Sequence, residues 1–292
     1  MSVFVHGATD NPQQAAAWDA RRVLAVNLRS ILGRAYPRII GGVREPSWLF
    51  FEILLPFLTT SAFVFVYRAL NAPQEFVGFV VLGGAMLAFW LNVMWLMAAQ
   101  LYWERDQGNL ELYFTSPVSM MSVLFGMALG GLLMSSIRAG VVLLVGAVLY
   151  EVAFTVEQWA LLLAVFLLTL AALYGLGMVL ASLFLLWGRE AWHMTQLLQE
   201  PVYFVSGLNF PVGRLGFLGA LAVATVPLAV GLDAMRQLAF ADSAATVGVL
   251  SPVVEALVLV TMATLFIGLA RLLLTVIERR ARQEGKLTMK GS

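Results

Sequence analysis

The thirty residues 120–149, MMSVLFGMALGGLLMSSIRAGVVLLVGAVL, carry one charged side chain, Arg138. A helix of about 20 apolar residues already crosses the hydrocarbon core of a bilayer, so a run of this length and polarity belongs in a membrane. Comparable segments recur, giving spans at about 47–70, 77–100, 120–149, 158–187, 191–211 and 252–277. Only 12% of the chain is charged, where a soluble domain carries roughly a quarter. These features predict an all-α integral membrane protein with six transmembrane helices. The third and fourth spans exceed the bilayer's need and so tilt or project into water. The fifth is interrupted by Gln196, Gln199, Glu200 and Pro201.

Lysine and arginine set the orientation. Arg21, Arg22, Arg29, Arg34, Arg38 and Arg44 precede the first span, and Arg279, Arg280, Arg282, Lys286 and Lys290 follow the last. The connection near 150–158 holds only Glu151 and Glu157. Both termini are therefore expected in the cytoplasm, which requires an even number of crossings. Residues 215–232 look long enough to span, but a seventh crossing would put the basic tail outside. They are read instead as re-entrant helices broken near Pro227, dipping in from the outer face. The competing six-span count lets 215–232 cross and 191–211 not. Within residues 17–36, Leu24, Leu28, Ile31, Leu32 and Ala35 fall on one helical face with arginines off it, the pattern of a basic amphipathic helix in the interface plane. The expected organisation is a cytoplasmic segment 1–46 containing that helix, a six-helix domain 47–277, and a basic tail 278–292. Within the domain lie a loop at 101–119 and the re-entrant segment 213–250. Six arginines and no long apolar core at the start argue against a cleaved signal peptide.

Several chemistries are excluded. No cysteine is present, so there is no disulfide, iron–sulfur cluster or thiol nucleophile. His6 and His193 are too far apart to suggest a metal site. A net charge of +1 gives no ground for a nucleic-acid partner.

The stretch LYWERDQGNLELYFTSP, 101–117, is the anomaly: a charged turn between two apolar spans. Tyr102 and Trp103 sit where interfacial aromatics anchor. After Gly108-Asn109, Leu110, Leu112, Tyr113 and Phe114 give an apolar surface suited to another protein's groove, although an ordinary solvated loop reads the same way. The segment resembles the first cytosolic loop of type-2 ABC exporter permeases, matched by Glu104-Arg105, Gly108, Leu110-Glu111, Ser116-Pro117 and Ser119. It departs at Asn109, where threonine is usual, and at Met127 after Gly126, where lysine is common. Residues 205–240 are similar to that family's outer re-entrant segment at Ser206-Gly207, Phe210-Pro211, Pro227, Asp233 and Arg236, while a Leu-Pro near 215 is absent.

The resemblance covers about residues 20–280. It implies a permease that pairs with a second copy or a paralogue, in the plasma membrane of a bacterium or archaeon. It also implies an ATPase subunit received from the cytosol. The coupling residues would be Glu104, Arg105, Asp106, Gly108, Leu110, Glu111 and Pro117, with Arg189 and Glu190 as a secondary contact. No G-x-x-x-x-G-K-[ST] occurs, so no P-loop is available here; ATP and Mg are expected on the partner chain and no cofactor on this one.

Ionisable groups inside spans are functional candidates because burying them is expensive. Glu52 and Arg271 lie at similar cytoplasmic depth and either pair or snorkel to the interface. Arg138, deep in the third span, faces a dimer interface or polar cavity, or snorkels outward. Gln196, Gln199 and Glu200 share one helical side and line a translocation path or face the cytosol. Trp90, Trp95, Trp103, Trp187 and Trp192 read as packing and interfacial belt. Gly83-Gly84, Gly130-Gly131, Gly175 and Gly177 read as close helix packing. The expected function is an exporter subunit for drug- or lipid-like molecules, with a polysaccharide or lipid-linked glycan exporter as the alternative. An intramembrane enzyme would need a cluster of titratable groups at one depth. An ion-coupled secondary transporter would place carboxylates on repeat-related helices, and Glu52 and Glu200 are not so placed.

Overall fold

The computed structural model describes residues 12–115, 118–188, 190–240 and 248–284. The elements in order are α1 (Pro12–Arg44), α2 (Pro46–Ala69), α3 (Gln74–Leu91), a π-helical segment (Asn92–Met97), α4 (Gln100–Asp106) and α5 (Leu110–Thr115). Then come α6 (Met120–Tyr150), α7 (Trp159–Trp187), α8 (Glu190–Val205), a 3-10 turn (Val212–Leu215), α9 (Phe217–Thr225), α10 (Pro227–Ala239) and α11 (Pro252–Glu284). No strand occurs among the described residues. Five helices are long and apolar enough to cross a membrane: Leu49–Ala69, Gln74–Asp106, Met120–Tyr150, Trp159–Trp187 and Pro252–Arg279.

At the centre stands α3, with nearly every residue from Val77 to Trp90 buried against α2, α6 and α10. An apolar stretch without a polar face can be stable only when covered on all sides. The outer helices keep apolar faces outward, such as Phe51, Leu55 and Leu58 on α2 and Leu257, Leu265 and Leu272 on α11, as lipid-facing surfaces do.

The bundle has two distinguishable ends. One carries α4, α5 and Gly188, where Arg105 donates to the Leu185 carbonyl at 3.0 Å. The other carries the 151–158 connection, where Thr155 bridges to Phe240 and Phe154 packs on the Phe240 ring. Helix α11 starts at this second end, beside Gln237, which donates to the Leu250 carbonyl at 2.8 Å. It runs parallel to α7, with Gly175 against Phe266 and Ile267, and so finishes toward the α4–α5 end.

Four expectations change. The N-terminal helix is longer, 33 residues, and packs along α6 instead of standing apart. Gly126 and Gly130 make that possible: a methyl group on them would lie 2.6 Å from the Ile31 carbonyl and 3.0 Å from that of Ala35. This is small-residue packing at a four-residue repeat. Leu24, Leu28 and Leu32 stay exposed, while Ala35 faces α6 and is buried.

The second span does not end at 100. It continues through the π segment to Asp106, so the first half of the expected loop is helix, closed by Gly108 at φ +76°. The expected fifth span is α8, a 16-residue helix followed by irregular turns. Residues 215–232 keep the expected break near Pro227 and form two short helices instead of one straight span. The helix axis turns by 107° between α9 and α10, with Pro227 opening the second arm. At 1.5 Å per residue the arms are about 14 and 20 Å long, and their far ends only about 20 Å apart. Finally, α11 runs unbroken through 277, so the expected tail begins inside a helix.

Candidate functional site

Helix α1 lies over the starts of α2, α4 and α6, and beneath it sits a polar cavity of about 380 Å³. Arg34 and Arg38 reach into it from α1, Glu52 from α2, Gln100 and Glu104 from α4, and Arg138 from α6. In a water-poor site each charge needs a partner. Glu52 and Arg138 pair at 3.0 Å with both side chains largely buried. Arg271, the other candidate for Glu52, is exposed on α11. Of the two readings for Glu52 and Arg271, pairing with each other is replaced by Glu52–Arg138, because α11 does not line the cavity and Arg271 is exposed.

Glu104 was expected on the docking surface; it is 7% exposed and points inward. Its carboxylate accepts from Arg34 and from the Tyr113 hydroxyl, the latter at 2.8 Å. The Arg34 guanidinium also stacks 4.8 Å from the Tyr113 ring. One carboxylate thus ties α1, α4 and α5 together. Burial, reinforced by the hydrogen bond to Glu104, pushes the Tyr113 phenol well above its ordinary range, which keeps it neutral and donating. Arg38 donates to the Gln100 side chain at 2.7 Å and has no carboxylate in contact among the described residues. Burial lowers its pKa from the usual arginine range.

Arg105 is held by the Leu185 carbonyl and by the Tyr102 ring at 5.2 Å, and Leu110 is buried. What the α4–α5 turn presents outward is Asp106, Gln107, Gly108 and Leu112. Glu111 lies in α5. Pro117 and Arg189 fall outside the described residues, and Glu190 is exposed in the first turn of α8. Trp192 packs at 5.4–6.1 Å against Phe184, Trp95 and Trp103, so these tryptophans join α8 to α4, α7 and the π segment. On α8, Gln196 and Glu200 are exposed and Gln199 is half-buried.

A second polar cluster holds the far end. Arg236 is buried and donates to the carbonyls of Phe210, Phe79 and Leu208 at 3.0–3.1 Å, with its guanidinium 5.5 Å from the Phe79 ring. A planar fork suits three convergent carbonyls where an ammonium would not. Asp233 accepts from the Val249 amide at 2.7 Å, and the buried Glu255 accepts from the Gln237 side-chain amide at 3.3 Å. Pro211 is buried in the turn that Arg236 clasps. Glu255 was missed by the sequence reading. An acidic residue four positions into an apolar window was the signal for it.

A family model described as ABC-2 type transporter matches residues 38–240, over two thirds of the chain. The chain belongs to that family. A comparison with curated proteins gave no match. The ABC-2 match opens at Arg38, inside the cavity, and closes at Phe240, beside the Arg236 clasp. Both polar clusters thus lie largely within the part that defines this permease as a multi-pass membrane transport component.

Proposed function

We propose that the chain is the permease subunit of an ATP-driven exporter, moving a hydrophobic or amphipathic drug- or lipid-like molecule out of a bacterial or archaeal cytoplasm. It works as one of two permease chains, each served by a separate ATPase subunit that carries ATP and Mg. The observation that carries this reading is the construction of the α4–α5 turn. Its tip is exposed at Asp106, Gln107 and Leu112, while its root is bound through Glu104 to α1. A push on the tip is delivered to α1 and to the Glu52–Arg138 cavity.

In the same reading the α4–α5 end is cytosolic, both termini lie there, and α9–α10 is re-entrant from the outer face. Two features support this: α8 starts beside Trp95 and Trp103 and its following turn meets Gly83 of α3, and the bent pair's ends are closer together than the roughly 30 Å core requires. The side of α8 bearing Gln196 and Glu200, with Gln199 beside it, would face the translocation path.

The test separates docking from transmission. The chain is co-purified with candidate ATPase subunits, and ATP hydrolysis and transport are measured. Asp106→Ala with Leu112→Ala should lower ATPase affinity by roughly tenfold or more, the scale of a small interface hot spot. Glu104→Gln should leave ATPase binding intact and depress transport per ATP. Normal transport in both variants would sink the reading.

A further inference from the structure

The cavity under α1 is not electrically closed. Of its three guanidiniums, Arg34 is matched by Glu104 and Arg138 by Glu52, whereas Arg38 meets only the neutral Gln100 amide. Arg138 is more than nine-tenths buried and its Nε is without a hydrogen-bond partner. Arg38 is half-buried at the cavity and no carboxylate touches it, so the lining carries one more guanidinium than carboxylates and has room and charge for one anion.

The cavity also has a second compartment. An apolar cleft of about 210 Å³ between α2, α3 and the π segment, lined by Leu55, Pro56, Leu91 and Trp95, shares Glu52, Leu96 and Arg138 with it. Leu55 is 62% exposed, so the cleft opens onto the lipid-facing surface of α2, beside Phe51 and Leu58. A charged chamber thus leads through Leu96 and the Glu52–Arg138 pair into a greasy slot that opens to the bilayer.

We propose that this paired cavity binds an anionic, phosphate-bearing amphiphile, its headgroup on Arg38 and one acyl chain in the cleft. A lipid held there bridges α1 to α2 and α3, and its loss loosens the same contacts through which the α4–α5 turn acts. The inference does not depend on the exporter reading: a chain that binds no ATPase can still bind this lipid, and the reverse.

The experiment uses the full-length chain, delipidated and placed in phosphatidylcholine nanodiscs, with thermal unfolding as the readout. Phosphatidylglycerol, additional phosphatidylcholine and inorganic phosphate are titrated separately. Phosphatidylglycerol should raise Tm saturably and phosphatidylcholine should not. Arg38→Gln should weaken the phosphatidylglycerol response about tenfold, the loss of one charge-assisted bond. Leu96→Trp, which fills the junction, should abolish that response while leaving any phosphate response unchanged, and it serves where Arg38→Gln fails to fold. Equal responses to the two lipids, or an unchanged response in the variants, would overturn the proposal. A phosphate response equal to that of phosphatidylglycerol would overturn the amphiphile and leave a free-anion site.

Discussion

Glu52, near the start of α2, and Arg138, in the middle of α6, pair at 3.0 Å with both side chains largely buried. The Coulombic gain of such a pair is offset by desolvation, so its net worth is small while its disruption is expensive. Arg138→Met should therefore destabilise the chain by about 3 kcal/mol, leaving Glu52 buried and alone. Adding Glu52→Leu should return most of that loss. A double-mutant cycle on thermal unfolding in detergent reads the difference, and additive losses would show that the two charges do not interact. The sequence made each residue conspicuous as a charge in an apolar run. It could not pair them, because the partner depends on how α1 rotates on α6, and that rotation brings Arg34 and Arg38 inward. Glu104 was misplaced for the same reason. A carboxylate next to a turn looks solvated until a neighbouring helix supplies a guanidinium.

Helix α1 behaves less like a float on the membrane surface than like a lid packed on α6, and two glycines decide this. A β-carbon at Gly126 would lie 2.6 Å from a backbone carbonyl, which cannot yield as a flexible side chain could. Gly126→Ala should push α1 off α6, costing about 1–3 kcal/mol as overpacking does and weakening the Arg34–Glu104 contact with it. Gly33→Ala, on α1 with nothing within 4 Å of the new methyl, should be neutral or stabilise by up to about 1 kcal/mol. Thermal unfolding of the two variants side by side checks the asymmetry; equal effects would mean that α1 is not seated on α6. Elements of this kind were only half legible. Long apolar runs gave α2, α3, α6, α7 and α11 because span length follows from bilayer thickness. The amphipathic pattern of 17–36 gave the helix and its outward stripe of Leu24, Leu28 and Leu32, but not its seating on α6, since that rests on small residues, Ala35, Gly126 and Gly130, which carry no amphipathic signal. The continuation of the second span to Asp106 escaped notice because charges at 104–106 imitate a loop although Leu101 and Glu104 keep helical spacing toward the core.

At the scale of the whole molecule, parity decides which element between α7 and α11 crosses. Five span-length helices alone would leave the two termini on opposite faces, yet α1 and the end of α11 both lie toward the α4–α5 end. One more traverse must occur between Glu190 and Ala239. Either α8 makes it, with its following turn reaching Gly83 near the far end, or the bent α9–α10 pair does. Arg214, in the 3-10 turn between them and exposed, lies on opposite faces in the two cases. The chain contains no cysteine, so single cysteines report without background. Gln107→Cys, Glu157→Cys and Arg214→Cys, all at exposed positions, are labelled with a membrane-impermeant maleimide in intact cells and again after the cells are opened. With α8 crossing, positions 157 and 214 label in intact cells and 107 only after opening. If 214 instead follows 107, the bent pair is the crossing element. The Arg236 clasp on Phe79, Leu208 and Phe210 would then hold a broken transmembrane helix together instead of closing a re-entrant cap.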